Sequence, residues 1–440
     1  MIVMKFGGTS IADAVRIRRV AEIIRQAQPV LVVLSAFAGT TDQLTRISTA
    51  FKTQNLHLSQ QLISELKQHY EALIANLFVA YEYQEKAIKF IETQFKELIE
   101  IVDSKYLLST ELYILAQGEI FSTILFKLYL EEIGERSCLI NALDVLRLDE
   151  NFEPDANYIK TQLSVQLERN TTAKIWITQG YICRNAFGEI ANLKRGGSDY
   201  SASLFAAAIE ADELQIWTDI DGIHNNDPRF VKNTTSIKEL SFDEAAELAY
   251  FGAKILHPAS IRPARKANIP VKLLNSLQPE VSGTLISTQT NQSRIKAIAA
   301  KDGITAIKIR SSEMLQAPGF LRRIFEVFEL YKTSIDMITT SEVAVSVTID
   351  DQKYLQNIIK TLQEFGHVEV DLNLSIICVV GDFLVDSKGI AAQVIKAVEN
   401  IPLRMISYGG SAHNISILVN QSLKVKAINE LQKGLFHDKS

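Results

Sequence analysis

The chain is short of the residues that mark several common protein classes. It has only 3 Cys in 440 residues. Cys138, Cys183 and Cys378 stand far apart with no CxxC spacing, which excludes a disulfide framework or cysteine zinc site and reads as buried thiols in a reducing compartment. No apolar run nears the roughly 20 residues of a membrane-spanning helix, and the longest, at 30–34 and 376–380, are far shorter. Neither charge dominates: 46 Lys plus Arg face 51 Asp plus Glu, a formal net charge of −5. With no basic tail or cluster, neither nucleic acid nor a membrane is expected as a partner. Met1 to Phe6 runs straight into glycines without a signal-peptide pattern, so the expected address is cytoplasmic. Proline is scarce at 9, and none falls between Asp42 and Leu130, where Gly118 alone interrupts the pattern. That stretch reads as almost wholly helical, a lid or a helical lobe.

What is present fits a soluble globular protein, with 47% hydrophobic and 22% charged residues. Its length exceeds one hydrophobic core, so two or three domains are expected. Ile2 to Phe6 is β-prone and ends in Gly7-Gly8; Ser10 to Gln26 then carries a helical stripe of Ile11, Val15, Val20, Ile23 and Ile24. Val30 to Leu34 reads as a buried parallel strand running into Ser35–Thr41, and Lys174–Thr178 and Glu213–Asp219 are further strands around the alanine-rich helix Tyr200–Ala211. This alternation is that of an α/β sheet with sites at the carboxyl ends of its strands. Pro270–Leu274 and Thr284–Ile286 close this part, and the polar run Ser287–Arg294 is the linker candidate. Beyond it lies an internal repeat, whose Gly319 and Gly389 are 70 residues apart. Each copy reads as strand, glycine loop, helix, strand, strand, a βαββ core needing one more helix and strand to close.

The segment Lys194-Arg195-Gly196-Gly197-Ser198-Asp199 is the most informative, because two residues without Cβ let backbone N–H groups close on an anion. With Lys5-Phe6-Gly7-Gly8-Thr9-Ser10 and Phe251-Gly252-Ala253-Lys254 it supplies glycine turns and basic side chains, the groups phosphoryl transfer uses for positioning and charge neutralisation. Lys5, where the first strand stops, can balance charge moving from a γ-phosphate; the plainer alternative is a surface lysine. Asp199 can orient the basic groups, or simply cap its helix. Lys254 follows a helix beginning about Phe242, where a cation is favoured by the dipole without any ligand. Glu119, in Gln117-Gly118-Glu119, interrupts an apolar stripe and can meet a cationic substrate group, although mid-helix glutamates ordinarily face water. Thr218-Asp219-Ile220-Asp221-Gly222 and Asp227-Pro228-Arg229 are turns that an ordinary loop would also explain. His257 reads as packing and His224 as exposed.

Taken in order, KFGGTS, SAFAGTTD, QGE, RGGSDYSA, WTDIDGI, DPR, FGAKILHP and MITTSEVAVSVT resemble aspartate kinase of the amino acid kinase superfamily, most of all its monofunctional, lysine-inhibited bacterial type, from Met1 to about Phe436. The resemblance implies an α/β amino acid kinase fold, a mainly parallel sheet sandwiched by helices, over 1–290. Two βαββαβ ferredoxin-like ACT domains follow at 304–370 and 371–437, interleaved so that 295–300 contributes a strand. It implies transfer of the γ-phosphate of MgATP to the β-carboxylate of L-aspartate, the committed step towards lysine, threonine and methionine, in a homodimer paired through the ACT domains or a tetramer. Lys5 would contact the transferring phosphoryl group and Asp199 organise the charges around it. Ser35, Thr41, Glu119, Arg195 and Ser198 would hold aspartate, Glu119 at its ammonium and Arg195 at a carboxylate. Gly7, Gly8, Thr218, Asp219, Arg229 and Lys254 would meet the nucleotide, whose phosphates would hold the Mg2+, no protein metal ligand being expected. Met314, Phe320, Leu321, Ser334, Ile335, Asp336, Thr340, Ser341 and Glu342 match the lysine-binding region, where Asp336 and Glu342 suit a ligand with two ammonium groups.

Three positions depart from the family pattern: Lys194 stands where glycine is usual, His224-Asn225-Asn226 replaces a tyrosine and two threonines, and Ala317-Pro318 replaces a more polar pair. Two other readings stay open at this point: a kinase for another small carboxylate such as glutamate or acetylglutamate, and an amino-acid-sensing protein that has lost catalysis.

Overall fold

A computed structural model describes residues 1–193, 196–252, 256–288, 295–314, 318–382 and 388–436. Lys194, Arg195, Lys254, Ala317 and most of the linker candidate therefore lie outside the described residues. The chain forms two compact units: Met1–Ile223, Lys238–Phe242 and Leu256–Thr290 make the first, and His224–Ile237, Asp243–Ile255 and Asn291–Ser440 the second. The span 1–290, expected as one domain, is thus interrupted twice by segments that cluster with the C-terminal unit.

In the first unit β1 (Ile2–Phe6) leads through a 3₁₀ turn at Gly8–Ile11 into α1 (Ala14–Gln26), and β2 (Val30–Leu34) follows. Asp13 caps α1 by accepting from the Arg16 N–H. The apolar stripe is carried by Ile17, Val20, Ala21 and Ile24, whereas Val15, expected in it, is 67% exposed and Ile11 lies before the helix. Every residue of β2 is buried, as a strand covered on both faces requires. The proline-free stretch forms α2 (Thr40–Lys52), α3 (Leu56–Leu77), α4 (Tyr81–Val102) and α5 (Leu108–Glu132). It is no detached lid: Tyr70, Phe95 and Phe121 share one buried core with Met4, Phe6, Val32 and Leu34 of the strands.

The chain continues through β3 (Ser137–Ile140), α6 (Ala142–Val145), α7 (Ala156–Arg169), β4 (Ile175–Gln179), the hairpin β5 (Ile182–Arg184) and β6 (Ile190–Asn192), α8 (Gly197–Ala208) and β7 (Glu213–Thr218). Next come β8 (Glu239–Ser241), α9 (Phe242–Tyr250), α10 (Arg262–Lys266), β9 (Val271–Asn275) and β10 (Thr284–Ser287). Eight of these strands form a sheet in the order β3-β4-β2-β1-β7-β9-β10-β8, parallel except where β10 runs against β9.

The second unit holds α9 from Asp243 onward, together with β11 (Ile295–Arg310), α11 (Phe320–Leu330), β12 (Ile338–Thr340), β13 (Ala344–Ile349), α12 (Leu355–Leu362), β14 (His367–Gly381), α13 (Ile390–Ala397), β15 (Met405–Tyr408), β16 (Asn414–Asn420) and α14 (Lys424–Phe436). One antiparallel sheet runs β12-β13-β11-β14-β16-β15. The long strands β11 and β14 are each shared: 304–310 pair with 367–374, and 295–301 with 376–381, across a register shift between Lys301 and Ile304. The strand at 295–301 completes the second repeat. Gly319 and Gly389 both have φ +87° as N-caps of α11 and α13, so the repeat seen in sequence is a repeated left-handed turn.

Candidate active site

Strands β1, β2, β4 and β7 are parallel neighbours, so their carboxyl ends share one edge of the sheet. The order reverses at β1, with β2 on one side and β7 on the other, and ligands of open α/β sheets bind at such a crevice. Backbone bonds knit this edge together. Gly7 N–H donates to the Trp217 carbonyl at 3.3 Å, Ser35 N–H to Phe6 at 3.2 Å, and Gly180 N–H to Leu34 at 2.9 Å. The hydroxyls of Ser10 and Ser276, both 1% exposed, join beneath them at 2.8 Å, and Ser276 Oγ also lies 3.0 Å from the Thr218 carbonyl.

Lys5, the penultimate residue of β1, places Nζ 2.7 Å from Asp199 Oδ1, with the two side chains 12% and 19% exposed. Oδ1 makes no hydrogen bond of regular geometry among the described residues, so the contact is a charge pair rather than an aligned bond. Asp199 is not the helix cap: Gly196 is, at φ +71°, and α8 starts at Gly197, which puts Asp199 in the first turn. There its charge faces the positive end of the helix dipole. Glycine permits each close approach. A Cβ on Gly196 would lie 2.6 Å from Ser260 Cβ, one on Gly180 2.3 Å from Ser198 Cβ, and one on Gly8 2.8 Å from the Ala36 carbonyl. The last two contacts bring Ser198 to Ser35, whose hydroxyls meet at 2.9 Å, and fold the loop after β2 against the glycine turn after β1.

Glu119 does not face water; it is 4% exposed. Gly118 lets α5 press on the loop after β2, since a Cβ there would lie 2.8 Å from Ala36 Cβ. Glu119 Oε1 accepts from the Ala36 N–H at 3.3 Å, and Ser122 Oγ donates to the Ser35 carbonyl at 2.8 Å. Burial pushes the Glu119 carboxyl up to about 8, partly offset by the Ala36 N–H. A buried carboxyl with so little compensation is a waiting partner for a cation.

The first unit therefore brings Lys5, Gly7, Gly8, Ser35, Glu119, Ser198 and Asp199 into one connected constellation, with Thr218 ending β7 beside Trp217. Asp219 is exposed and accepts from the Thr218 hydroxyl at 3.1 Å; Thr41 is exposed in the first turn of α2. Arg229 belongs to the second unit, where its guanidinium pairs with Asp227 at 2.6 Å. Arg195 and Lys254 lie outside the described residues. His257 is exposed and accepts from the Ala259 N–H, capping a short turn instead of packing, and half-buried His224 bonds Thr234. Cys138 is only half-buried, unlike Cys183 and Cys378.

The amino acid kinase family matches residues 1–275, and an ACT domain family matches 307–363 and 377–435. The lysine-sensitive aspartokinase 3 of Escherichia coli (strain K12) is 33% identical over 99% of both chains. The chain belongs to the aspartokinase family. Two solved structures of E. coli aspartokinase III, one with aspartate and ADP in the R-state and one with lysine and aspartate in the T-state, each superpose with a TM-score of 0.80 at 32% identity, over 99% of this chain and 100% of theirs. The amino acid kinase fold followed by ACT domains is thus shown, and it accounts for both sheets described above. Aspartokinases are kinases that phosphorylate aspartate, and the chain is such an enzyme by family.

The residues matched to the regulatory region lie in the second unit. Phe320 is buried in the first repeat's core and Met314 packs partly against it, so these two shape the region from within. Ile335 is half-buried, and Leu321, Ser334, Thr340, Ser341 and Glu342 are exposed. Thr340 and Ser341 line an open cleft of about 560 Å³ together with Lys308 and Arg310. Asp336 is the outlier: its side chain is 1% exposed and already neutralised by Lys301 Nζ at 3.0 Å.

Sequence reasoning passed over Gly180, Ser10 and Ser276 in this aspartokinase fold. Gly180 follows a buried strand as Gly7 does and could have been found by that rule. The two serines carry no such mark, because their meaning is a contact between positions 266 residues apart.

Proposed function

We propose that the chain transfers the γ-phosphate of ATP to the β-carboxylate of L-aspartate, giving 4-phospho-L-aspartate and ADP. The observation that carries the reading is the buried Glu119 carboxyl beside the Ser35–Ser198 pair, one residue along the chain from the Lys5–Asp199 ion pair. A carboxyl held in that state suits an amino acid's ammonium, and Arg195 would take a carboxylate. The attacking group is a carboxylate oxygen that is already ionised, so the reaction needs no general base. One oxygen of aspartate forms a bond to the γ-phosphorus while the bond to the β–γ bridging oxygen breaks, leaving ADP. Lys5 neutralises the migrating charge, and Asp199, locked to it, orients rather than attacks. Gly7, Gly8, Thr218, Asp219, Arg229 and Lys254 would meet the nucleotide. A Mg2+ carried by the nucleotide's phosphates would offset their charge.

The same reading takes 1–290 as catalytic, with the interruptions noted, and 304–370 and 371–437 as ACT repeats that bind lysine and pair two chains. Exposed Ile338, Val370, Leu372, Ile406 and Tyr408 on the six-stranded sheet support pairing, and a cytoplasmic address is part of the proposal. The test is coupled ADP release with MgATP and aspartate, repeated with lysine, threonine or methionine, with glutamate as alternative acceptor. Turnover with aspartate that falls on adding lysine is expected. Turnover with glutamate in its place, or none at all, overturns the assignment.

A further inference from the structure

Among the described residues Tyr70 is the largest side chain fully closed to solvent, and it carries a hydroxyl into the core. A buried hydroxyl costs free energy unless it is bonded. It shares a hydrogen bond with Thr40 Oγ1 at 3.2 Å, and Thr40, 1% exposed, is the first residue of α2. The Thr40 N–H donates to the Phe37 carbonyl at 3.0 Å, so the hydroxyl pair sits at the turn where the loop after β2 becomes helix. The Tyr70 ring meets that loop again at Phe37, with centroids 5.9 Å apart, and meets α5 at Phe121, two residues past Glu119, at 5.1 Å. Gly118 closes on the same place, for a Cβ on it would lie 2.8 Å from Ala36 Cβ and 3.5 Å from Thr40 Cγ2. Helices α3 and α5 and the loop thus converge around Ala36, whose N–H donates to Glu119 Oε1 at 3.3 Å. That N–H favours the ionised carboxyl against the burial that keeps it protonated. The contact is long, so a small slackening of the loop removes it. Residues 35–39 of the loop carry no charge. Two titratable groups sense the Glu119 charge, Tyr70 from α3 and half-buried Tyr181 after β4. Burial raises both phenols, so both stay neutral where Glu119 titrates.

We propose that Tyr70, acting through Thr40, is a positioning residue for the amino-acid half of the site, holding the Ala36 N–H on Glu119 so that the carboxylate is ready for a substrate ammonium. The inference rests on the reading above, in which Glu119 meets aspartate's ammonium. Without the Tyr70 hydroxyl the first turn of α2 loses its anchor to α3, and the Ala36 N–H draws back. The Glu119 proton is then held to higher pH, and the ammonium must displace a tighter proton. The turn after β1 is fastened separately, by the Gly7 N–H on the Trp217 carbonyl, so the nucleotide half does not follow.

The experiment uses the full chain with Tyr70→Phe, which keeps the ring and removes the hydroxyl, alongside Thr40→Val and Thr40→Ser. The Glu119 carboxyl is titrated without ligand by infrared difference spectroscopy, its band assigned by subtracting Glu119→Gln. The midpoint should rise by about half a pH unit or more in Tyr70→Phe and Thr40→Val, the scale of a weakened neutral hydrogen bond. Thr40→Ser, which restores a hydroxyl, should recover most of that shift. In turnover at pH 7, KM for aspartate should rise about threefold or more in the first two variants while KM for ATP stays within about twofold, a split that general loosening of the core would not produce. Should Tyr70→Phe fail to fold, Thr40→Val carries the same test. An unmoved midpoint, an equal rise in both KM values, or a Thr40→Ser variant that behaves like Thr40→Val overturns the proposal. If the parent does not turn over aspartate, the substrate reading falls, and the ligand-free midpoint alone decides whether Tyr70 positions Glu119.

Discussion

The Lys5–Asp199 pair of the first unit and the Lys301–Asp336 pair of the second are built differently. Lys5 and Asp199 approach across the carboxyl edge of a parallel sheet because glycines at 8, 180 and 196 remove the Cβ atoms that would block them. Neither shows a second charged partner among the described residues, and both keep some exposure. Lys301 is instead shared between Asp336 and Asp350, Asp336 Oδ1 also accepts from the Tyr250 hydroxyl, and Asp336 is closed to solvent, with its Oδ2 lacking a hydrogen-bond partner among the described residues. The first arrangement leaves charge available to a ligand; the second spends its charge holding elements together. Residue type alone does not separate a reactive pair from a structural one, but what surrounds the pair does.

The contrast is broken most sharply at Lys5. Lys5→Ala should cut kcat by about a thousandfold or more, the scale of losing a charge that stabilises a phosphoryl transition state, with aspartate binding by calorimetry preserved and the melting temperature little changed. Equal loss of aspartate binding would assign Lys5 to the wrong substrate.

Glu119 should follow, with an effect that depends on pH. Burial pushes its carboxyl from an ordinary 4.5 up to about 8, so it is mostly neutral at pH 7, and under the proposed assignment aspartate's ammonium would bind only after the proton leaves. Apparent affinity for aspartate should therefore rise with pH up to about 8 and then level off, with proton release on binding below that value. Stability runs the other way. Between 4.5 and 8 the unfolded chain has lost this proton while the folded chain retains it, so this group's contribution to stability falls as pH rises through that window. Glu119→Gln should abolish both slopes and lower kcat/KM for aspartate by about a hundredfold. Titrations of parent and variant with parallel pH dependence would refute the linkage.

A smaller difference is expected between adjacent glycines. A Cβ on Gly8 meets a backbone carbonyl at 2.8 Å, whereas one on Gly7 meets the flexible end of Lys5 at 3.4 Å. Gly8→Ala should cost about 1–3 kcal/mol in denaturant unfolding and reduce turnover, and Gly7→Ala should cost less on both counts. The reverse order would mean that the turn is not held as described.

Much of the first site was legible because its signals are local. A glycine pair after a β-prone run marks a turn, and KFGGTS and RGGSDYSA carry their chemistry within six to eight residues. Glu119 was ambiguous for a physical reason: whether a mid-helix glutamate is buried depends on what packs over it, here the loop after β2 admitted by Gly118. The helical content of 42–130 followed from the absence of proline, yet its fusion with the strand core did not, since the contacts of Tyr70 and Phe121 with the sheet's core are long-range. The residues alone showed only an incomplete βαββ unit; the interleaving, with 295–300 as a contributed strand, came from the resemblance, and β11 carries that strand ahead of both repeats. Nothing local marked Tyr250 or Lys301, whose partner Asp336 lies 86 and 35 residues away.

The finest test of the contrast compares the two pairs by the same measurement. Double-mutant cycles with Lys5→Met and Asp199→Asn, and with Lys301→Met and Asp336→Asn, isolate each pairwise energy from the cost of either single change. In the second cycle the single variant Lys301→Met leaves a carboxylate without solvent or counter-cation, so it should destabilise strongly, and neutralising Asp336 as well should recover most of the loss. A coupling of about 1–3 kcal/mol is expected there. In the first cycle water can reach both members once either is changed, and the coupling should stay below about 1 kcal/mol. Equal couplings would mean that the Lys5 pair is as much a structural bolt as the other, and that the large kinetic effect at Lys5 reports misplacement of the strand edge rather than lost charge.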